Sequence, residues 1–497
     1  MDFLDPKKKR SRKIRLAIGH ALMVVLVAFG TFILVLQAYG FDYDRQSGEV
    51  IQNGLLYLDS APDNATITIN GQVHQDPTNT RLSLPGGVYT VEISKQGYRS
   101  WQRTFELDGG TVVRFSYPAL FLNDLKPEEL LTPEQPFGFA SQSPDRRWIV
   151  LQEKNLLSQL SVYDLGERKN KKPVVTPVSL PVNLMTPAEG DHRLELVEWS
   201  TDNKNLLVQH SFSGGQEYLI ININKPAESL NVTRTIGENP SKITLFDKKV
   251  EKLYLYDADK RTLRLIDVSS KLITPIASNV ISYKTHGDDK VFMSAASASD
   301  KTKAEIILRE NGKNNLLRLV PLDAKIPLDF ASSAGEWYAI IGVQSERRLY
   351  VYKNPLEFIK TSPDYSKTFL LTLKNNGPID QVSFSDNTRF IMSQSGQYIS
   401  TYDTETDKRY GYRVKQQFDK GTELKWMDGH RFITRSGGQI LIFDFNGINV
   451  QKLIAADADM PIIFDRDYTE LYSISTSAKD PVKKGFFLTN LRLAADK

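Results

Sequence analysis

The side chains that most often bind metals or act as nucleophiles are sparse in this sequence. Cysteine is absent, which excludes disulfides, thiolate catalysis and zinc sites that contain cysteine. The six histidines lie singly along the chain, without the spacing of metal ligands, at His20, His74, His192, His210, His286 and His430. Lone histidines are usually surface or satisfied core residues, so we predict no metal site built from them.

Four acidic segments have spacings that can bring several carboxylate oxygens to one cation, as calcium requires. They are Asp257-x-Asp259, Asp403-x-Glu405-x-Asp407, Asp457-x-Asp459 and Asp465-x-Asp467. None has the glycine or the distal glutamate of a complete calcium loop, and most follow strand-like segments, where Asp commonly forms turns. We therefore interpret them as turn residues.

Sequence motifs for nucleotide binding and hydrolysis are absent. The chain has no G-x-G-x-x-G, G-x-x-x-x-G-K-[ST], H-E-x-x-H or G-x-S-x-G. Ser143, Asp145 and Trp148 resemble the sialidase Asp-box, which is itself structural in its family, and spacing does not locate an arginine triad or a Tyr/Glu pair. We predict no catalytic residues and no cofactor, and hence a protein that is not an enzyme.

Positive charge is concentrated at the N-terminus. Residues 1–15 contain seven Lys/Arg and two Asp, which leaves 56 basic and 57 acidic residues in the rest of the chain. Nucleic-acid binding requires a basic patch that displaces counterions from phosphates. The near-neutral body of the protein therefore argues against a nucleic-acid partner.

A single apolar segment follows the basic residues. Residues 16–36 read LAIGHALMVVLVAFGTFILVL, and a helix of this length is about 31 Å long, which matches the hydrocarbon core of a bilayer. We predict a basic cytoplasmic tail at 1–15, a transmembrane helix at 16–39 and a polar neck at 40–53. A buried helix and a cleaved signal peptide are alternatives, although a signal peptide usually has a shorter apolar core followed by a small-x-small site.

The orientation of this helix follows from the charges that flank it. The basic cluster should stay inside, since the segment from Gly40 to Val50 has only Arg45 as a basic residue, after two aspartates. The basic run could instead be a nuclear-localisation signal, but its position beside a spanning helix favours a role in topology. We therefore expect a single-pass protein of the cytoplasmic or plasma membrane, in contact with the lipid bilayer through 16–39, with its C-terminal domains outside.

Residues 54–120 have the alternation of a small β domain. Asn70-Gly71 suits a type I′ hairpin, and Pro85-Gly86-Gly87 forms a further turn before the strand VYTVEIS. Together with Pro62-Asp63-Asn64-Ala65, Tyr89 and Gly97-Tyr98, these residues resemble the PEGA domain, a small module of bacterial and archaeal surface proteins. Asp63-Asn64 replace Glu-Gly, and both pairs form turns. The resemblance implies surface display and interaction, with no catalytic residues to carry over.

The next segment, 121–136, contains three prolines and four acidic residues, which is typical of a linker. Residues 137–497 then repeat a pattern of turn, apolar strand, loop and second apolar strand. Eight copies begin at Ser143, Trp199, Phe246, Gly287, Ser332, Phe384, Trp426 and Phe464. Each spans about 45 residues, the size of a four-stranded propeller blade.

The turns of these copies resemble the S-P-D-G repeats of TolB-like and WD40-like propellers, most closely at Ser143-Pro144-Asp145 and Phe384-Ser385-Asp386. Most copies lack the glycine, and the fourth and fifth copies are weak. We predict a mainly β protein with a propeller of about eight blades. Seven blades closed by terminal strands, or a pair of irregular β-sandwiches, are the alternatives.

These elements predict a membrane-anchored interaction protein outside the cytoplasm. The partner would be an envelope protein or a cell-wall glycan, and a protein is favoured because no Trp/Tyr platform is visible. Propellers usually bind at the central opening, but the sequence does not identify the residues there. An envelope hydrolase or lyase acting on glycan or peptide, and a purely structural scaffold, are the alternative functions.

Overall fold

The structure, a computed structural model, describes residues 6–38, 40–43, 48, 50–169, 172–287, 289–333, 335–357 and 369–496. The chain divides into two units. The first contains Met1–Asp124 together with Arg492–Lys497, and the second contains Leu125–Leu491.

The N-terminal helix α1 spans Pro6–Ala38. Proline suits the first turn of a helix, where an N–H group has no partner in any case. The helix therefore begins at Pro6 rather than Leu16 and includes much of the predicted basic tail. It is followed by Gly40 in a left-handed conformation, φ +80°. The apolar span Arg10–Ala38 is long enough to cross a membrane, and none of its apolar window is buried by the rest of the protein.

The described residues of the first unit also form eight short strands. They are β1 (Phe41–Tyr43), β2 (Val50–Leu58), β3 (Thr66–Ile69), β4 (Gln72–Val73), β5 (Thr80–Pro85), β6 (Gly87–Ser94), β7 (Trp101–Leu107) and β8 (Val112–Phe115). One sheet has the order β1-β2-β5, with β8 parallel to β2, and the other has the order β4-β3-β6-β7. The predicted neck at 40–53 thus contains β1 and the start of β2.

The two sheets of this unit enclose one apolar core. Leu56, Ile67, Ile93 and Trp101 are among its buried residues, and they occupy alternate positions of their strands as the period of two predicts. The β3–β4 turn has positive φ at both central residues, Asn70 and Gly71, which confirms the type I′ hairpin.

The C-terminal residues return to the same unit as a 3-10 turn, Ala494–Asp496. The Asp496 carboxylate accepts hydrogen bonds from Lys95 Nζ and Tyr98 Oη, both at 2.7 Å. The Leu493 backbone N–H donates to Tyr98 Oη at 2.9 Å. These three bonds attach the end of the chain to the small β domain.

In the second unit, the described residues form eight four-stranded antiparallel sheets. Blades 1 to 4 consist of β10 (Phe137–Gln142), β11 (Trp148–Glu153), β12 (Gln159–Lys169), β13 (Lys172–Ser179); β14 (Arg193–Trp199), β15 (Asn205–Phe212), β16 (Gly215–Asn222), β17 (Leu230–Asn231); β18 (Lys242–Phe246), β19 (Lys249–Asp257), β20 (Thr262–Asp267), β21 (Ile273–Ala277); and β22 (Val280–His286), β23 (Lys290–Ala296), β24 (Lys303–Glu310), β25 (Lys313–Pro321). Blade 2 also carries a 3-10 turn, Pro226–Glu228, and a short helix, α2 (Val232–Ile236).

Blades 5 to 8 complete the set. They consist of β26 (Leu328–Ser333), β27 (Glu336–Val343), β28 (Arg348–Lys353), β29 (Phe369–Lys374); β30 (Gln381–Phe384), β31 (Phe390–Ser395), β32 (Tyr398–Asp403), β33 (Arg409–Arg413); β34 (Lys425–Trp426), β35 (Arg431–Ser436), β36 (Gln439–Asp444), β37 (Gln451–Ala455); and β38 (Ile463–Phe464), β39 (Glu470–Thr476), β40 (Lys484–Asn490), β9 (Pro127–Leu131). The eight sequence copies are the second and third strands of these blades. The prediction of eight blades is confirmed for the described residues.

Strand β9 closes the ring. It precedes blade 1 in the sequence but pairs with β40 as the fourth strand of blade 8. Blade 8 also shares an apolar core with blade 1, where Tyr472 and Phe486 pack on Ile149 and Tyr163. The linker predicted for 121–136 is therefore wrong at 127–131, where the chain is a paired strand.

Candidate functional site

The first strand of every blade lies at the centre of the propeller. Each is the first strand in the order of its sheet, and the first strands of neighbouring blades, such as β10 and β14 or β26 and β30, lie beside each other. The turns that follow these strands, which we call the A–B turns, therefore meet around one end of the central opening. Residues in these turns come from distant parts of the sequence, as a binding site on a propeller requires.

A repeated hydrogen-bond pattern builds four of these eight turns. In blades 1, 2, 6 and 8, an oxygen of the first turn residue accepts the backbone N–H five positions later, in the pairs Ser143–Trp148, Ser200–Asn205, Ser385–Phe390 and Asp465–Glu470, at 2.8 to 3.0 Å. In the first three of these turns, the third residue accepts the N–H two positions later, in the pairs Asp145–Arg147, Asp202–Lys204 and Asn387–Arg389. The Ser and Asp of the repeat are therefore structural, because they satisfy turn amides that the sheet leaves unpaired.

The fourth residue of these turns is left-handed. In the S-P-D-G repeat that the turns resemble, this position is glycine, but here it is Arg146, Asn203, Thr388 and Tyr468, with φ between 54° and 61°. A left-handed conformation costs a residue other than glycine about 1–2 kcal/mol. Strained positions that persist in a fold are candidates for function.

Two of these strained residues meet at the opening, together with three charged side chains. We call Arg146, Asp386, Asp428, Arg431 and Tyr468 the turn cluster. The Arg146 guanidinium lies 4.2 Å from the centre of the Tyr468 ring and 3.4 Å from Asp386 Oδ2. Arg146 Nη2 and Tyr468 Oη both donate to the Met427 carbonyl, at 3.2 and 2.6 Å. Arg146 of blade 1 thus contacts blades 6, 7 and 8.

The two carboxylates of the turn cluster differ in their surroundings. Burial and the neighbouring charge of Asp428 raise the pKa of Asp386, which Arg146 opposes. Burial also disfavours the ionised form of Asp428, but the Arg431 guanidinium and two backbone N–H groups hold the pKa of Asp428 below its usual range. Burial raises the pKa of Tyr468 to about 12. The cluster therefore holds an ionised Asp428 beside Asp386, whose carboxylate lies among protein atoms at the opening and is partly desolvated although 55% of the side chain remains exposed.

Every oxygen of Asp428 is occupied within the protein. Oδ1 accepts the backbone N–H groups of His430 and Arg431, at 2.7 and 2.8 Å, and Oδ2 accepts Arg431 Nε and Nη2. A catalytic carboxylate needs an oxygen that can reach substrate or water. Asp428 therefore holds its turn and positions Arg431.

Two adjoining cavities lie along the inner wall formed by blades 7, 8, 1 and 2. One, of about 580 Å³, reaches the turn cluster at Arg146 and is also lined by Lys425, Arg435 and Asp459. The other, of about 520 Å³, is lined by residues that include His192, and both share Met460. This size is sufficient for a small ligand or a short segment of a partner.

The acidic segments of the sequence are distributed over separate turns. Asp403 is buried and forms a bidentate ion pair with Arg389, at 2.7 and 3.0 Å. Asp164 and Arg147 form the same pair in blade 1. Within the part of the chain that the structure describes, no group of three His or acidic residues could hold a metal ion.

The histidines were interpreted as lone residues, and for His192 and His210 this is wrong. The antiparallel pairing of β14 with β15 brings these two rings together, with His192 Nδ1 and His210 Nε2 2.8 Å apart. His192 lies directly before β14 and His210 lies on β15, so a histidine at each side of one predicted hairpin could have suggested the pairing. The proximity of the turn-cluster residues, by contrast, has no signal in the sequence, since closure of the ring brings them together.

Comparison with known families identifies the small β domain. Residues 53–119 match the PEGA domain, which confirms the resemblance. No curated protein matches the chain. The chain thus combines an N-terminal apolar helix, a PEGA domain and a β-propeller, which is a set of interaction modules.

Several solved structures are similar to the propeller in fold. The Dos1 propeller matches with 14% identity and a TM-score of 0.46, over 74% of this chain and 96% of that one. Kluyveromyces lactis Hsv2 matches with 12% identity and a TM-score of 0.39, over 59% and 96% of the two chains. Dihydro-heme d1 dehydrogenase NirN in complex with DHE matches with 14% identity and a TM-score of 0.42, over 65% and 67%. Because these identities are 14% or lower and the TM-scores are below 0.5, the propeller assignment rests on the strand pairings of this chain and not on the similar structures.

Proposed function

We propose that this protein is a membrane-anchored binding protein that displays its PEGA domain and propeller outside the cytoplasm. Its ligand binds at the central opening, where the turn cluster meets the cavity of blades 7, 8 and 1. The observation that supports this most directly is Arg146, a strained residue that contributes a cation to the end of a 580 Å³ cavity.

The charges of the cavity walls indicate the kind of partner. Lys425 pairs with Glu423 at 3.5 Å, and Arg193 pairs with Glu195 at 2.9 Å. The Lys425 and Glu423 side chains are 69% and 70% exposed. Because exposed ion pairs contribute about 1 kcal/mol or less, a partner can replace this pair with its own charged groups at little cost. A surface that carries both signs of charge suits a protein loop better than a neutral glycan.

Photo-crosslinking in cells tests this proposal. A photoreactive amino acid at Lys425 should form an adduct with the partner, whereas the same group at Val175, an exposed residue on the outermost strand of blade 1, should not. Both variants are made in the full-length chain. Adducts from Val175 alone would show that the partner binds the outer rim of the propeller and not the central opening. No adduct from either position would favour a structural scaffold.

The membrane topology is tested separately. A positive-inside orientation places the basic end of α1 in the cytoplasm and the propeller outside. Reporter fusions after Asp44 and after Lys497 should both report an outside location. A cytoplasmic signal from either fusion would overturn the orientation, and recovery of the intact chain without membrane extraction would overturn the anchor.

A second candidate function, an envelope hydrolase or lyase acting on glycan or peptide, is favoured by one observation. The raised pKa of Asp386 beside an ionised carboxylate is typical of a general acid. The bonds that occupy both oxygens of Asp428 oppose it, because a second carboxylate must be available to substrate or water. Turnover of a glycan or peptide by the wild type that Asp386→Asn abolishes would establish the enzyme.

A further inference from the structure

Two arginines that line the cavity of about 580 Å³ each carry a buried N–H group without an acceptor in the described part of the chain. The groups are Arg146 Nη1 and Arg435 Nε. A buried donor on a charged side chain is costly to leave unpaired, so such a group in a native fold calls for an explanation. Because both side chains line one cavity, a ligand in that cavity is an acceptor that they can share.

Arg435 is held at the cavity wall by the fold. It lies on β35, the second strand of blade 7, and only 8% of the residue is exposed. Its Nη2 donates to the Met460 carbonyl, which fixes the position of the guanidinium. Burial disfavours the charged form of Arg435 and lowers its pKa, although three nearby carboxylates oppose this shift. The propeller therefore positions a desolvated cation at the wall of the cavity.

The carboxylates near Arg435 have other roles. Asp419 accepts two backbone N–H groups, at 2.6 and 2.8 Å, and Asp457 pairs with Lys484 at 3.1 Å. The third, Asp459, lines the cavity itself. A polymer with a negative charge on every unit would be repelled by Asp459, whereas a ligand with isolated carboxylates can reach the arginines and avoid it. The charges therefore favour an acidic peptide segment.

The two N–H groups lie well apart along the cavity. The guanidinium groups of Arg146 and Arg431 both lie over the Tyr468 ring, 4.2 and 5.8 Å from its centre. Arg435 follows Arg431 by four residues on β35, on the same face of the strand, which is about 13 Å at about 3.3 Å per residue. One carboxylate cannot reach both groups. Two carboxylates four positions apart in an extended segment span the same distance.

We propose that the cavity binds an extended peptide segment of the partner through two carboxylates, one at Arg146 and one at Arg435. Each carboxylate would form a charge-assisted hydrogen bond with a guanidinium, which is stronger than a bond between neutral groups. This assignment rests on the proposed function, because it specifies the chemistry of the ligand at the same opening.

Binding of synthetic peptides to the full-length protein in nonionic detergent tests the two-carboxylate site. The probe is a dye-labelled heptapeptide of Ser and Thr, blocked at both ends, with Glu at its second and sixth positions. Fluorescence anisotropy should show that it binds about tenfold to hundredfold more tightly than the same peptide with Gln at both positions. A peptide with Glu at its second and third positions reaches only one arginine and should bind about tenfold more weakly than the probe.

Two arginine variants make the result specific. Arg435→Gln should weaken binding of the probe by about tenfold or more. Arg309→Gln is the matched control, because Arg309 Nε is also buried without an acceptor among the described residues but Arg309 lines neither cavity. It should bind the probe as the wild type does.

Photo-crosslinking with the probe keeps both arginines intact and so does not depend on the stability of a variant. Lys425 pairs in register with Ile433 and therefore shares the sheet face of Arg435. A photoreactive amino acid at Lys425 should form an adduct with the probe, and the same group at Val175 should not.

Several results would overturn the two-carboxylate site. They are equal binding of the Glu and Gln peptides by the wild type, an affinity that survives Arg435→Gln, or the absence of an adduct between the probe and Lys425. Displacement of the probe by inorganic polyphosphate at lower concentration than by unlabelled probe would indicate a phosphate polymer instead. A cellular partner captured from Lys425 without probe binding would overturn this site alone, and probe binding without a cellular partner would overturn only the proposed function.

Discussion

Arg146→Gly separates a structural role of the turn cluster from a binding role. The substitution restores glycine at a left-handed position, φ +61°, and removes the side chain that contacts Asp386, Tyr468 and the Met427 carbonyl. We expect the stability of the propeller to be almost unchanged and capture of the partner at the central opening to be lost.

The expected change in stability is the sum of opposing contributions. Relief of the left-handed conformation stabilises by about 1–2 kcal/mol. Loss of an exposed ion pair costs about 0.2–1 kcal/mol, loss of a cation–π contact costs about 0.5–1 kcal/mol, and the freer unfolded chain costs about 0.4–1 kcal/mol. The costs together are about 1–3 kcal/mol, so the net destabilisation is about 2 kcal/mol at most.

The assay is urea unfolding of the full-length protein in detergent, followed by tryptophan fluorescence. Asn203→Gly is the matched control, since it restores glycine at the same position of blade 2 and removes no side chain of the turn cluster, although it also removes the 3.4 Å contact from the Asp145 N–H. It should keep partner capture from Lys425. A destabilisation above about 3 kcal/mol in Arg146→Gly would refute this reasoning, because the turn cluster would then be needed to hold the blades together. Retained capture in Arg146→Gly would refute the binding role.

Three further predictions concern stability. Asp403→Asn should destabilise the protein by about 2 kcal/mol in urea unfolding, because it removes the buried carboxylate that Arg389 contacts through two charge-assisted hydrogen bonds and leaves only the exposed Glu405 as its ion-pair partner. Asp164→Asn should cost less, since its arginine partner is 52% exposed. Deletion of 127–131 should raise hydrogen exchange in β40 by about tenfold or more, because that strand loses its neighbour, while β24 of blade 4 stays protected. Burial lowers the pKa of His430 to about 4, so the unfolded state binds the proton more strongly; the urea midpoint should fall as the pH is lowered from about 6.5 to about 4, and less so in His430→Gln.

The sequence predicted the fold best where strands are apolar on both faces. The second and third strands of each blade, such as Trp148–Glu153 and Gln439–Asp444, are packed between neighbouring sheets and stand out as apolar runs. In most blades the first strand is shorter than the second and partly polar, and Lys425–Trp426 has only two residues. The closing strand Pro127–Leu131 was missed because its composition, PEELL, resembles a linker and only its pairing partner identifies it.

The candidate site could not be predicted for a topological reason. Arg146 and Tyr468 are separated by most of the propeller sequence, and no local pattern indicates that they stack. One sequence feature does relate to the site: most copies of the S-P-D-G repeat lack the glycine. That absence had a physical meaning, because the substituted positions are the left-handed ones and two of them point to the opening.

The closing strand also has a consequence for synthesis of the protein. Glu129 and Ser477, which are hydrogen-bonded across blade 8, lie 348 positions apart, so the ribosome must finish nearly the whole chain before the ring can close. During that interval the edges of Pro127–Leu131 and of the last blade made are both open to pairing with other chains. Truncated products would keep such unpaired edges, which would make them substrates for proteases and for chaperones that bind exposed strands.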